Sequence, residues 1–544
     1  MLPSAGRGTG AVGAEANMID NPLQRKAYDL VASALPFSID PAKVTVKPGV
    51  SYTRSPIKAH DLAAGIMAAF GSVVERLGAI RGLPEQTMEL DRRLSGLLMN
   101  SAQLQYLNGY GTLIDSWPIG PDNGCYETRD GRHVMMIGLH PHLRDALLSF
   151  FDCANTAEAI QRAVIRHDAQ ALEDEVNARH LPLGIVRSPA EWASHPQGAA
   201  TRARTPVDIT GFASEGGRRL GAAKSRPLEG VRVLELTHLV AGPTIGRLLA
   251  EQGAEVIKVQ PPIGDWVYPL WLDVNWGKKN ILLDIKGSYG KARFARLLGE
   301  ADVLVSSLRP GALDGLGLTK EALGDINPGL VLANASYALP DTPWHERRGF
   351  EQIAQAVTGV MHIQSEGLPA PTLISVLMND YLTGYLGAIG VVAALSEREQ
   401  KGGTYVVDAA LTRCSTMATD FVEPVDAEPY EPVTMKDLID FAVDQDTPLG
   451  HFTRLRSAAS FSHTPSALTL PPGMPGRDPD DTAWGFLDNG PSFETLPHLP
   501  SRFAREGLIR NFISTHGIED RGDGGGLVSL ASKSLFALAL ATRL

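Results

Sequence analysis

Apolar residues recur at helical spacing from Asp61 to about Leu77, in DLAAGIMAAFGSVVERL. The spacing predicts a helix. Asp61 stands near its start, where a carboxylate meets free backbone N–H groups and the positive end of the helix dipole. A second long helix is predicted from about Asp380 to Gln400, and shorter ones near Leu143–Phe151, Ala157–Asn177, Thr244–Gln252, Tyr289–Gly299 and Thr319–Ile326. Short apolar runs read as strands at Val231–Leu236, Glu255–Val259, Ile281–Asp284, Val303–Ser306, Leu330–Asn334 and Tyr405–Val407. Strands alternating with helices predict a parallel sheet with helices on both faces. In CYETRDGRHVMMIGL, Asp130-Gly131 lies between two strand-like runs and predicts a hairpin turn.

The punctuation of the chain suggests its segments. The run 198–225 is rich in Gly, Ala and Arg and reads as a linker. Residues 420–447 are acidic and read as an exposed connector, and beyond about Gly490 periodicity fades, with RGDGGG at 521–526 reading as flexible. There is also an internal echo. MNDYLTGYLGAIGVVAAL around Asp380 repeats the pattern of AHDLAAGIMAAFGSVVERL around Asp61, each with a Gly four residues after the Asp. The offset, 380 − 61 = 319 residues, suggests duplication of a domain or part of one and not a solenoid.

Composition narrows the classes. The 544 residues are 44% apolar and 20% charged, enough apolar material for packed cores and too much for a wholly disordered chain. A net charge of −11 argues against a nucleic-acid-binding surface while leaving room for a local anion pocket. The longest mostly apolar stretch, Leu382–Leu395, is too short to span a bilayer, so no membrane partner is expected. Three cysteines, Cys125, Cys153 and Cys414, have no metal-ligand spacing, and no metal site is expected. Their scarcity and the lack of a secretory apolar core favour a reducing, cytoplasmic setting; peroxisome and mitochondrion stay open. The final Thr542-Arg543-Leu544 fits a peroxisomal tripeptide poorly.

Several phrases from Pro227 onward occur in a definite order. They are PLEGVRVLELTHLVAGPTIGRLLAEQGAEVIKV, NWGKKNILLDIK, ADVLVSSLRPGALDGLGL, NPGLVLANAS, RRGFEQIAQAVTGVM, VLMNDYLTGYLGAIGVVAAL and GGTYVVDAAL. Together they resemble the family III CoA transferases (CaiB/BaiF), which include formyl-CoA transferase, carnitine CoA-transferase and α-methylacyl-CoA racemase. The resemblance implies an α/β fold: a Rossmann-like large domain with a parallel sheet, a smaller α+β domain and a partial internal duplication. The segments then read as a tail (1–20), a partial helical repeat of the large domain (21–122) and a small α+β domain (123–200). A linker (201–225) and the large domain (226–420) come next, then a connector with a returning segment (421–490) and a poorly structured tail (491–544).

The same resemblance implies an activity, transfer of CoA from a donor acyl-CoA to an acceptor carboxylate, with no permanently bound cofactor and CoA as substrate. Asp380 matches the family's nucleophile, and Glu351 an acidic residue with an auxiliary or purely structural role. His238, Leu239, Val240 and Ala241 match the CoA-contacting loop. Lys258, Lys278, Lys279 and Arg309 are the basic residues expected at CoA phosphates. A homodimer is expected. Gln260-Pro261, Ser307-Leu308 and Gly315 depart from the family pattern at CoA-contact positions. Two other readings stand beside the transferase: a racemase- or isomerase-like enzyme, disfavoured because Phe350 replaces the racemase histidine, and an inactive relative that acts as a binding partner. No GxGxxG follows VRVLEL, which argues against a dinucleotide site. His60-Asp61 reads as a structural remnant, and His140, His142 and His195 as surface or packing histidines.

Overall fold

Six parallel strands are built from the apolar runs read in the sequence: β1 (Arg232–Leu236), β2 (Glu255–Gln260), β3 (Lys278–Leu282), β4 (Val303–Ser306), β5 (Val331–Ser336) and β6 (Thr404–Ala410). The structure is a computed structural model that describes residues 19–112, 120–213 and 216–487. The strands lie in the order β3-β2-β1-β4-β5-β6, with Val233 of β1 opposite Val256 on one side and Val303 on the other. Both faces are covered, which is why these strands read as nearly continuous apolar runs without alternation. The direction of winding reverses between β1 and β4, the switch point at which open α/β sheets bind ligands.

A seventh strand, Asp208–Ala213, pairs antiparallel with β6 and closes that edge of the sheet. It lies within the stretch read as linker. The small, polar composition of the run hid six residues that satisfy the outer backbone groups of β6.

Four helices position the functional side chains: α1 (Ala59–Ile80), α2 (Ala241–Glu251), α3 (Glu351–Thr358) and α4 (Met378–Lys401). α4 packs against both α1 and α2. The Phe70 ring meets Tyr385 edge-on at 5.7 Å between centroids. Gly384 permits the crossing with α2, since a Cβ there would lie 2.5 Å from the Thr244 Cβ. Gly65 does the same in α1, where a Cβ would lie 2.4 Å from the Gln24 carbonyl oxygen of helix Pro22–Ala32. α1 is long and apolar enough to cross a membrane, yet it is buried on nearly every side, which accounts for its composition.

The hairpin Asn123–Glu127/His133–Ile137 turns at Asp130-Gly131, with Gly131 at φ +72°, and takes Leu183–Ile185 as a third strand. The helical run expected over 157–177 is two helices, Ala157–Val164 and Ala169–Ala178. Asp130 accepts from the Ala169 N–H at 3.2 Å and so starts the second. Met135 and Ile137 pack with Ile353 and Val357, which seats this unit on α3.

The acidic stretch after Asp420 is exposed over most of 422–431, as expected of a connector, but its later part is structured. It holds helix Met435–Phe441 and the hairpin Ala442–Thr447/Gly450–Leu455. Two of its acids are drawn to cations of the N-terminal part: Asp437 pairs with Arg93, and Glu428 with Lys58 and Arg92. The tails expected at 1–20 and 491–544 lie outside the described residues, apart from Ile19 and Asp20.

Candidate active site

A cleft of about 350 Å³ opens at the C-terminal ends of β1, β4 and β5, over the switch point. One wall is the loop after β1, from His238 to Gly242; the loops after β4 and β5 form the next. His345, residues 347–350 and the turn His140–Leu143 from the smaller unit face them. Asp380, in the first turn of α4, is the carboxylate of this lining among the described residues.

The start of α4 has no capping side chain of its own, because Leu377 occupies the N-cap position. Glu351 supplies the cap from α3. One carboxylate oxygen accepts the Asp380 backbone N–H at 2.7 Å, and the other accepts from Asn379 Nδ2 at 2.9 Å and Gln355 Nε2 at 2.8 Å. Glu351 is buried. Burial, and then the charge of Asp380, push its carboxyl well above the ordinary range against the pull of these hydrogen bonds. The Asp380 carboxyl has no hydrogen-bond partner among the described residues, and burial pushes it up to about 7. The structure thus brings both acids expected of the site together and leaves one of them unengaged.

Asp61 holds the matching place at the start of α1 and has the opposite surroundings. Arg92 grips both its oxygens at 2.7 Å, and Gln24 donates at 2.8 Å. It is buried and away from the cleft.

His238, Leu239, Val240 and Ala241 all line the cleft. Leu239 is at φ +58°, a left-handed conformation that costs a branched residue about 1–3 kcal/mol and must be held by its surroundings. Lys258 and Lys278 do the holding. Lys258 Nζ donates to the Thr237 carbonyl at 3.0 Å and to Glu235 at 2.7 Å; Lys278 Nζ donates to the Pro243 carbonyl at 2.6 Å. Both ammonium groups are fully buried around Glu235. Burial lowers both lysines, Lys278 to about 7, while the pair of cations holds Glu235 low against its own burial. The phosphate role expected of these two lysines does not fit this burial: they brace the loop from beneath. Lys279 lies over the Phe486 ring, outside the cleft, whereas Arg309 stands in the cleft wall.

Two histidines read as packing residues belong to the cleft. His140 stacks on His238 at 5.1 Å between centroids and holds Asp265 through Nδ1 at 2.9 Å. Burial, then His140 and Lys258, push His238 down to about 4, so its ring is neutral near pH 7. His142 and Arg348 complete this wall. The sequence signal was the pair His140-Pro-His142 directly after a strand, at the mouth of a hairpin unit.

The cleft loops after β1, β4 and β5, Glu351 and Asp380 all fall within residues 228–433, which match the model of CoA-transferase family III. This region belongs to CoA-transferase family III. The chain is 33% identical over 219 residues to the succinyl-CoA–L-malate CoA-transferase beta subunit of Chloroflexus aurantiacus, covering 38% of this chain and 54% of that protein. The acetyl-coenzyme A transferase nodX of Hypoxylon pulicicidum is 30% identical over 328 residues, 53% of this chain and 52% of its own. The chain spans about half the length of these two relatives. A solved CaiB/BaiF family protein from Brucella suis is 29% identical, covering 42% of this chain and 65% of its own at a TM-score of 0.35.

Proposed function

We propose that the protein is an acyl-CoA:carboxylate CoA-transferase with Asp380 as its nucleophile. The observation that carries this reading is a carboxylate in the cleft, raised by burial and bound to no donor. A carboxylate of raised basicity and free lone pairs is a better nucleophile than a hydrogen-bonded one.

The Asp380 carboxylate oxygen attacks the donor thioester carbonyl and expels CoA thiolate, leaving a mixed anhydride. The thiolate attacks the aspartyl carbonyl, releases the donor acid and forms an aspartyl–CoA thioester. The acceptor carboxylate attacks that thioester and expels the thiolate, which then attacks the acyl carbonyl of the new anhydride. Acyl-CoA leaves and Asp380 is restored. Each bond broken is an activated acyl bond of similar energy to the one formed, so the cycle balances without ATP. Glu351 is a positioning residue: by capping α4 it fixes the backbone that carries Asp380. The expected homodimer is part of the same proposal.

Incubation with acyl-CoA and a labelled carboxylic acid tests this, with hydroxylamine as trap and peptide mass spectrometry as readout. A hydroxamate at Asp380 and label in the acyl-CoA are expected. Transfer that survives Asp380→Ala would sink the nucleophile. Exchange of the α-proton with no CoA transfer would assign an isomerase.

A further inference from the structure

Two buried charges lie behind the cleft and make no bond in the transfer itself. Asp273, in helix Tyr268–Val274, and Arg247, in α2, are both buried, and Arg247 Nη1 donates to Asp273 Oδ1 at 3.1 Å. The second oxygen, Oδ2, accepts two hydroxyls, Tyr381 at 2.7 Å and Ser101 at 2.8 Å. Burial, and then the charge of Asp273, hold the Tyr381 hydroxyl well above its ordinary range, so it remains a donor. Burial pulls Arg247 down, but Asp273 and Glu251 more than offset it, and the guanidinium stays charged. The three donors come from three parts of the chain. Tyr381 directly follows Asp380 in the first turn of α4, Arg247 sits in the helix that the loop after β1 enters, and Ser101 belongs to the N-terminal part. Ala102, Val240, Leu270, Val274 and Tyr381 form one apolar cluster around them. The same N-terminal segment, 99–105, makes two more bonds here. The Met99 carbonyl accepts from the N–H of Leu377, the N-cap of α4, at 3.1 Å, and Gln105 Nε2 donates to the Pro269 carbonyl at 2.7 Å. A buried carboxylate must be matched by donors, and this one draws them from the nucleophile's own turn, from α2 and from the N-terminal part.

We propose that Asp273 is a positioning residue for Asp380, and that Ser101 brings the N-terminal part into the support of the site. Asp273 fixes the first turn of α4 against α2 and so sets the Asp380 carboxyl relative to the loop after β1. Its action differs from that of Glu351. A cap on a backbone N–H lies near the helix axis and resists rotation of the turn only weakly. A bond at the end of the Tyr381 ring lies far from the axis and resists rotation with a long lever. The inference rests on the transferase reading for the reaction it serves and on the three bonds to Asp273 for its geometry.

Asp273→Asn would leave Arg247 short of a buried anion, so the test removes the two hydroxyls instead. Tyr381→Phe keeps the ring in its cluster, and Ser101→Ala alters nothing that lines the cleft. In folded Tyr381→Phe, kcat should fall about ten- to a hundredfold, as for a nucleophile misplaced by up to about 1 Å, with KM for acyl-CoA within about twofold. Ser101→Ala should fall in the same direction by less. The double variant should fall no further than Tyr381→Phe, because Ser101 reaches Asp380 only through Asp273 and the tyrosine. A merely structural role lowers the urea midpoint and leaves kcat per folded molecule unchanged. That result overturns the positioning role, and so does a double variant in which the two losses multiply. Should Tyr381→Phe fail to fold, Ser101→Ala decides by the same split. A readout without turnover separates this inference from the transferase reading: carbodiimide coupling of a labelled amine to Asp380, followed by peptide mass spectrometry. A looser first turn opens the carboxyl to the reagent, so labelling should be faster in Tyr381→Phe than in wild type. Faster labelling in a protein that transfers no CoA overturns the transferase reading alone, whereas equal labelling in such a protein overturns the positioning role as well.

Discussion

Glu351→Gln isolates what the cap at α4 is worth. Every partner of the Glu351 carboxylate among the described residues is a donor: the Asp380 N–H at 2.7 Å, Gln355 Nε2 at 2.8 Å and Asn379 Nδ2 at 2.9 Å. Glutamine has the same shape but presents an NH₂ on one side. If its carbonyl keeps Asn379 and Gln355, the NH₂ confronts the Asp380 N–H. If it turns over, two side-chain donors are orphaned instead. A buried donor left unmatched costs about 1–3 kcal/mol, so urea denaturation at neutral pH should show a loss of that size. Glu351→Ala orphans all three donors and should lose more. The catalytic effect arises from position. An uncapped first turn lets the Asp380 backbone shift, and misplacement by about 1 Å can cost about a hundredfold in rate. CoA transfer measured on folded Glu351→Gln should therefore fall steeply in kcat/KM. A variant equal to wild type in both stability and kcat/KM refutes the reasoning. Lost stability with unchanged kcat/KM would leave Glu351 a cap with no bearing on catalysis.

Three further outcomes are expected. Asp61→Asn strips the anion from Arg92, which keeps Gly49 and Glu428 as partners, so a loss near the lower end of the range for broken buried pairs, about 3 kcal/mol, should appear in urea melts with turnover per folded molecule unchanged; loss of turnover in the folded variant would give Asp61 a role that its bonding does not suggest. Burial raises Asp380 from 3.8 to about 7, so kcat/KM should climb with pH through about 7. The folded chain binds that proton more tightly than the unfolded chain, so the associated stability is complete below 3.8 and is lost as pH rises through about 7. Asp380→Asn should flatten this fall, and a wild-type urea midpoint that rises with pH across that window while the variant's does not would reverse the assignment. Gly384→Ala places a Cβ 2.5 Å from the Thr244 Cβ and 2.9 Å from the Ala241 carbonyl oxygen, so α2 must move, at about 1–3 kcal/mol and with lower CoA affinity through the loop it begins; an unaffected melt would show that the crossing is looser than these distances say.

The large sheet was legible because its strands are apolar on both faces and separated by helices of clear period. β1 and β4 match their expected cores nearly residue for residue, while β3 begins earlier than expected because its first residues are lysine and asparagine, polar yet inward-facing. Long-range pairing was not legible. The strand Asp208–Ala213 reads like linker because edge strands need little apolar content, and the burial of Asp437 is not legible because its partner Arg93 lies some 340 residues away in sequence. The site divided the same way. Asp380 and Glu351 sit in motifs. Lys258 and Lys278 were assigned to phosphate on charge alone, and nothing local reveals that Glu235, also inward-facing, draws both beneath the loop. His142 and Arg348 join the cleft only once the smaller unit is seated on α3.

The pair α1 and α4 shows how neighbours, and not the aspartate itself, decide what a carboxylate can do. Each helix opens with an Asp, carries a Gly four residues on for a close crossing, and buries most of its length. At Asp61 the lone pairs are taken by Arg92 and Gln24, so drawing either oxygen toward an electrophile means breaking buried charge-assisted bonds. Near Asp380 stands another acid, Glu351, whose oxygens are themselves spent on holding backbone and amide donors. That acid can steady the helix without engaging the Asp380 carboxyl. Desolvation then makes the Asp380 charge costly until an electrophile shares it, and an acyl carbonyl entering the cleft does so. The requirement for a reactive carboxylate is thus met by withholding a cation at one helix start and supplying one at the other, and the helix left without the cation is the one that opens at the switch point of the sheet.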